Sequence, residues 1–100
     1  MIFEWDKSKE VKNVKKHGIS FNVALNVFKD SARLEFYDET HSVYEDRYIT
    51  IGKVADLLII VVVYTDRSGR IRIISARKAN DREKEAYFNE KDTNWYSGID

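Results

Sequence analysis

One feature constrains this chain more than any other: eight consecutive apolar residues, Leu57 to Tyr64. A bilayer-spanning helix needs about 20 such residues, so this run does not cross a membrane. Its length suits a strand. With no polar position in it, both sides of that strand must be covered, which places it at the centre of a sheet. The chain has 100 residues, 43% of them hydrophobic. That supplies one core, so the remaining elements must pack around this sheet. The opening Met1-Ile2-Phe3-Glu4-Trp5-Asp6 meets acidic residues at once. We therefore expect no secretory leader, no membrane association and a cytoplasmic location. There is no cysteine, which excludes disulfides and thiolate metal sites.

Ile2 and Phe3 suit a short opening strand. Asp6 can cap a helix over Lys7 to His17, with Gly18 as its stop. Only Val11 and Val14 repeat there at helical spacing, among five lysines, so the helix reads as basic and half exposed. Ser20 can cap a second helix, in which Phe21, Ala24, Leu25 and Phe28 form a core-facing stripe. Ala32 to Tyr37 alternates as a half-buried strand, and Asp38 to Asp46 is a polar loop. Arg47 to Ile51, Leu57 to Thr65 and Arg70 to Arg77 are three more strand candidates. Asp66 to Gly69 is a tight hairpin turn in which Gly69 can take a positive φ. Asn80 and Glu83 have capping-box spacing ahead of a helix over Asp81 to Glu90. The expected fold is α+β: two N-terminal helices packed on a four-stranded antiparallel meander, then a C-terminal helix, with the helices to one side of the sheet. Residues 1–90 form one domain. The tail, residues 91–100, has no period and is expected to be loosely ordered unless partner-bound.

The charge balance is even, with 17 basic and 17 acidic residues. No whole-molecule field favours nucleic acid, so any such argument rests on local charge. Between Asp66 and Lys84 stand Arg67, Arg70, Arg72, Arg77, Lys78, Arg82 and Lys84, opposed by three acids. Arginine grips phosphate through two parallel bonds. Arg70, Lys78 and Lys84 read as a solvated face. Arg77 and Arg82, at a strand end and a helix start, favour an anion site, because the helix N-terminus adds donors to the same rim. Arg67 suits a solvated turn or a phosphate contact equally. Arg72 suits a sheet-face ion pair or a site. His41, in a polar loop beside Glu45 and Arg47, is the better of two histidines for proton transfer. His17 reads as the finish of the first helix. Tyr87 is open to base stacking or packing. Two histidines without paired acids make a poor metal site, and no glycine-rich phosphate loop is present.

These residues also resemble a known family. Phe3-Glu4-Trp5-Asp6, Asn13 with Lys16-His17-Gly18, Phe21 with Ala24, and Val27-Phe28 are similar to BrnT toxins. So are His41-Ser42, Glu45-Asp46-Arg47 and Val62 to Arg67. The strongest stretch is Ile71 to Ala79, followed by Arg82-Glu83 and Tyr87. The ordered set covers about residues 2 to 90. The resemblance implies a RelE-like fold and a growth-halting endoribonuclease. It implies a BrnA-type antitoxin as partner, with DNA met only indirectly through that antitoxin. It implies metal-independent, cofactor-free RNA cleavage, in which the 2′-hydroxyl attacks the adjacent phosphate with help from basic side chains. On this chain the catalytic candidates become Arg77, Arg82, Arg47 and His41. The substrate-binding candidates are Arg67, Arg72 and Tyr87. Glu45 would orient His41 or pair with Arg47, and Thr65 and Ser75 would be hydrogen-bonding supports. The competing reading is a catalytically weak module that acts mainly within an antitoxin repressor complex. A stand-alone DNA-binding protein is disfavoured, since no helix is rich in base-reading residues.

Overall fold

The computed structural model describes residues 1–89. The tail expectation lies outside the described residues. The central strand is where the apolar run put it. Five strands, β1 (Ile2–Trp5), β2 (Leu34–Tyr37), β3 (Arg47–Ala55), β4 (Leu58–Arg67) and β5 (Arg70–Lys78), lie in the order β1-β5-β4-β3-β2. From Ile59 to Thr65, β4 is buried at every position. The β4–β5 turn is the expected one: Ser68 and Gly69 both take positive φ, 55° and 86°, and the Asp66 carboxylate accepts the Gly69 N–H at 2.8 Å.

The expected four-stranded antiparallel sheet is corrected here. The opening strand joins the sheet, and it pairs in parallel with β5, Phe3 opposite Ile71 and Trp5 opposite Ile73. The sheet is therefore mixed and five-stranded. A four-residue strand carries no periodicity of its own, and its partner lies at the far end of the chain. β1 stops at Trp5, which leaves the edge of β5 beyond Ile73 unpaired by strand. Helix α1 (Lys7–His17) fills that gap. The buried Asn13 side chain donates to the Ala76 carbonyl at 2.8 Å and accepts the Ala76 N–H at 3.1 Å. An amide side chain thus does the work of a neighbouring strand. Val11 and Val14, the only apolar repeat of this helix, are exposed instead.

Asp6 and Ser20 cap their helices, and Gly18 ends α1 at φ 72°. The second helix is shorter than expected. α2 (Phe21–Ala24) tightens into a 3₁₀ turn over Leu25–Lys29. Three residues per turn align Phe21, Ala24 and Val27, and those three are fully buried, while Leu25 and Phe28 are only partly so. Gly52 lets this turn sit against β3: a Cβ there would lie 2.8 Å from a Val27 methyl.

The helices also do not share one side. Phe21, Ala24 and Val27 pack with Ile60, Val62, Tyr64, Ile71 and Ile73 on one sheet face. On the other face Ile49, Ile51, Ile59, Val61 and Val63 meet Tyr87 of α3 (Asp81–Asn89). Both faces of β4 are apolar, so both need cover. Among the described residues no helix is long and apolar enough to cross a membrane.

Candidate active site

The α3-side face is apolar only along part of its length. Toward the β4–β5 turn it becomes polar. Register aligns Arg47 with Thr65, Thr65 with Arg72, and Arg72 with Glu4, so one row of four side chains crosses four adjacent strands. Arg72 donates to Glu4 at 3.1 Å, and Arg70 lies 3.5 Å from the other Glu4 oxygen. Arg67, one register step further, holds Glu45 by two bonds of 3.0 and 2.9 Å. That pairing lowers the Glu45 pKa: its largest cause is the hydrogen bond from Arg67. Arg47 enters no ion pair among the described residues.

Thr65 stands in the middle of this row. It is fully buried, yet its hydroxyl has no hydrogen-bond partner among the described residues. A buried hydroxyl left unpaired costs about 1–3 kcal/mol, so such a group needs a reason to be there.

The loop that joins β2 to β3 brings in His41. Its backbone is fixed by Ser42, whose hydroxyl accepts the Arg47 N–H at 2.9 Å and donates to the Asp38 carbonyl at 2.5 Å. The Asp38 N–H in turn donates to the Arg47 carbonyl. His41 Nδ1 lies 2.9 Å from an Asp38 carboxylate oxygen. Asp38 is 2% exposed. A carboxylate only accepts, so Nδ1 carries the proton and Nε2 is the nitrogen able to take or give one. A buried carboxylate that fixes the tautomer of a partly exposed imidazole is the arrangement general acid–base chemistry uses.

Asp38 was not singled out from the sequence, where it read as one more loop residue. Glu45 was expected to orient His41 or to pair with Arg47; it pairs with Arg67 instead. The signal available was the Asp-x-x-His spacing of Asp38 and His41, meaningful only once the loop is known to turn back on itself.

Arg77, Arg82 and Tyr87 lie elsewhere. On β5 Arg77 is five residues from Arg72, roughly 16 Å along the strand. Its guanidinium is clamped to Glu83 by two bonds of 2.8 Å each. Glu83 is 1% exposed and closes the expected capping box: it accepts the Asn80 N–H at 2.9 Å, and its own N–H donates to Asn80 at 2.8 Å. Arg82 projects from the first turn of α3 and is exposed. The Tyr87 hydroxyl donates to Asp30, and its pKa is pushed up to about 12 by desolvation and then by that bond. The structure thus brings His41, Arg47, Arg67 and Arg72 to one end of the face and Arg77, Arg82 and Tyr87 to the other. Among the described residues no three His, Cys, Asp or Glu side chains are grouped to hold a metal ion.

The chain is also similar to known proteins. The family model described as ribonuclease toxin, BrnT, of type II toxin-antitoxin systems matches residues 5–83. The crystal structure of the Brucella abortus ribonuclease toxin BrnT is similar to this one with a TM-score of 0.63 and 25% sequence identity. The match covers 81% of this chain and 100% of that one. Comparison with curated proteins gives no match.

Proposed function

Since the chain belongs to the BrnT family of ribonuclease toxins of type II toxin-antitoxin systems, we propose that it is an endoribonuclease that cleaves RNA across the Glu4–Arg72–Thr65–Arg47 row. The observation that carries this reading is the buried Asp38 holding His41 beside that row. The reaction is metal-independent. His41 Nε2 takes the proton of a ribose 2′-hydroxyl, whose oxygen forms a bond to the adjacent phosphorus. The bond from phosphorus to the 5′-oxygen breaks, and that oxygen leaves with a proton from solvent. The products are a 2′,3′-cyclic phosphate and a 5′-hydroxyl. Negative charge grows on the phosphate oxygens as the new bond forms. Arg47, Arg67 and Arg72 meet it with fixed, permanently charged forks. Glu4 and Glu45 hold Arg72 and Arg67 in place until phosphate displaces them. Arg77 and Arg82 act at a distance from the scissile bond, Arg77 by fixing the start of α3.

A type II toxin implies an antitoxin partner; we propose a BrnA-type protein that silences this chain and through which alone it meets DNA. The test is purified protein on a defined RNA with end-group analysis. Cyclic-phosphate ends are expected, with cleavage reduced about 10²–10⁴-fold in His41→Gln and at least about tenfold in Arg72→Gln. Both variants should still bind the antitoxin. Undiminished cleavage in both would sink the assignment.

A further inference from the structure

A neutral protein must find local charge to hold a polyanion, and the arginines of the polar row are mostly matched by glutamates. Uncompensated charge lies next door. Between α1 and β5 runs a cleft of about 210 Å³ lined by Lys9, Lys12, Asn13, Lys16, His17, Ile74 and Ser75. Among the described residues no carboxylate lines it. Lys9, Lys12 and Lys16 fall on one side of α1, over roughly 10 Å of helix, and none of them enters an ion pair among the described residues. The field in the cleft is felt by His17: desolvation first, then Lys16 and Arg77, lower its pKa.

The cleft lies beside the polar row, on the same strand β5. Its β5 residues lie just past the point where β1 ends at Trp5, opposite Ile73. Arg72 is close enough to the α1 cap to help lower the Asp6 pKa, after the hydrogen bonds from Ser8 and Lys9. The cleft floor, Ile74 and Ser75, lies two and three residues beyond Arg72 on β5, at the point where the β4–β5 register shifts. The floor is also held rigid, because Asn13 ties α1 to Ala76.

We propose that this α1–β5 cleft is a binding track for the phosphodiester backbone of single-stranded RNA, continuing the strand that crosses the polar row. The inference rests on the ribonuclease reading and assigns the substrate's flanking nucleotides to Lys9, Lys12 and Lys16. The track is sequence-blind, since lysines reach phosphates and not base edges.

The test uses a 2′-O-methyl RNA strand of about twelve nucleotides, which cannot be cut by 2′-oxygen attack and is within the usual site size. Its affinity is measured against salt for the wild type, for Lys9→Gln/Lys12→Gln/Lys16→Gln, and for Lys7→Gln/Lys15→Gln, two α1 lysines that do not line the cleft. Glutamine keeps helix propensity, and circular dichroism checks the fold. The triple variant should bind roughly tenfold or more weakly, with a log–log salt slope shallower by about 2, near 0.7 for each lost contact. The control should keep most of its slope. If the triple variant binds the strand like wild type, the track is overturned, and more so if it has instead lost the antitoxin. A wild-type protein that does not hold the strand at all overturns the ribonuclease reading together with this one.

Discussion

Two arginine pairs on the same strand and the same sheet face behave as different objects. Arg72 and Glu4 are about equally exposed, at 28% and 27% of their side chains. Arg77 and Glu83 are at 20% and 1%, and Glu83 also caps a helix. The first pair can trade one anion for another at little cost, because water still reaches both partners. The second cannot: removing Arg77 takes two charge-assisted hydrogen bonds from a carboxylate in the interior. Identical residue types therefore give a solvent-exposed ion pair at one end of the face and a structural clamp at the other.

The sharpest way to break that contrast is Arg77→Ala. It should lower stability by about 3–5 kcal/mol, the usual cost of breaking a buried ion pair, read by urea unfolding. A variant that unfolds like wild type but no longer cuts RNA would move Arg77 from the clamp to the reaction, as its strand-end position alone suggested.

A smaller effect with a more telling sign is expected at Thr65. Valine keeps the shape and deletes the unpaired hydroxyl, so Thr65→Val should be neutral or more stable by about 1 kcal/mol. Cleavage should nevertheless fall, because the hydroxyl would serve a phosphate between Arg47 and Arg72. Gain of stability with loss of cleavage marks a group kept for function. Full cleavage would make the orphan hydroxyl a mere defect of packing.

The least effect concerns pH and the α3 end of the face. Asp30 is desolvated, which raises its pKa, but hydrogen bonds from Tyr87 and from the Lys53 and Ala32 N–H groups outweigh this and leave it lowered. The unfolded chain then binds the Asp30 proton at higher pH than the folded one. The stabilisation is complete above the ordinary aspartate pKa of about 4 and is lost as pH falls through the lower folded value. Asp30→Asn should flatten the acid limb of the stability–pH profile and leave cleavage near neutrality alone. An acid limb as steep as that of the wild type would remove Asp30 from the account.

Local features were legible in advance because local physics sets them. Helix α1 spans Lys7–His17 as expected, since Asp6 and Gly18 mark its ends by capping and left-handed geometry. The hairpin at Ser68-Gly69 and the capping box at Asn80 and Glu83 follow from chemistry within four residues. The place of β4 followed from its apolar run. The tightening after Ala24 was not legible, because propensity does not reveal how close Gly52 lets the chain approach.

Most elements, their caps and the stock of arginines and imidazoles can be read along the chain, because neighbours in sequence settle each of them. Which arginines meet an exposed carboxylate and which a buried one depends on the packing of distant segments. Asn13 completes the edge of β5 across 63 residues, and β1 finds its place beside that same strand. Asp38 becomes the orienting acid of His41 once the β2–β3 loop folds back. Burial then separates Glu83 from Glu4, and burial is a property of what packs above a residue, which no local spacing encodes.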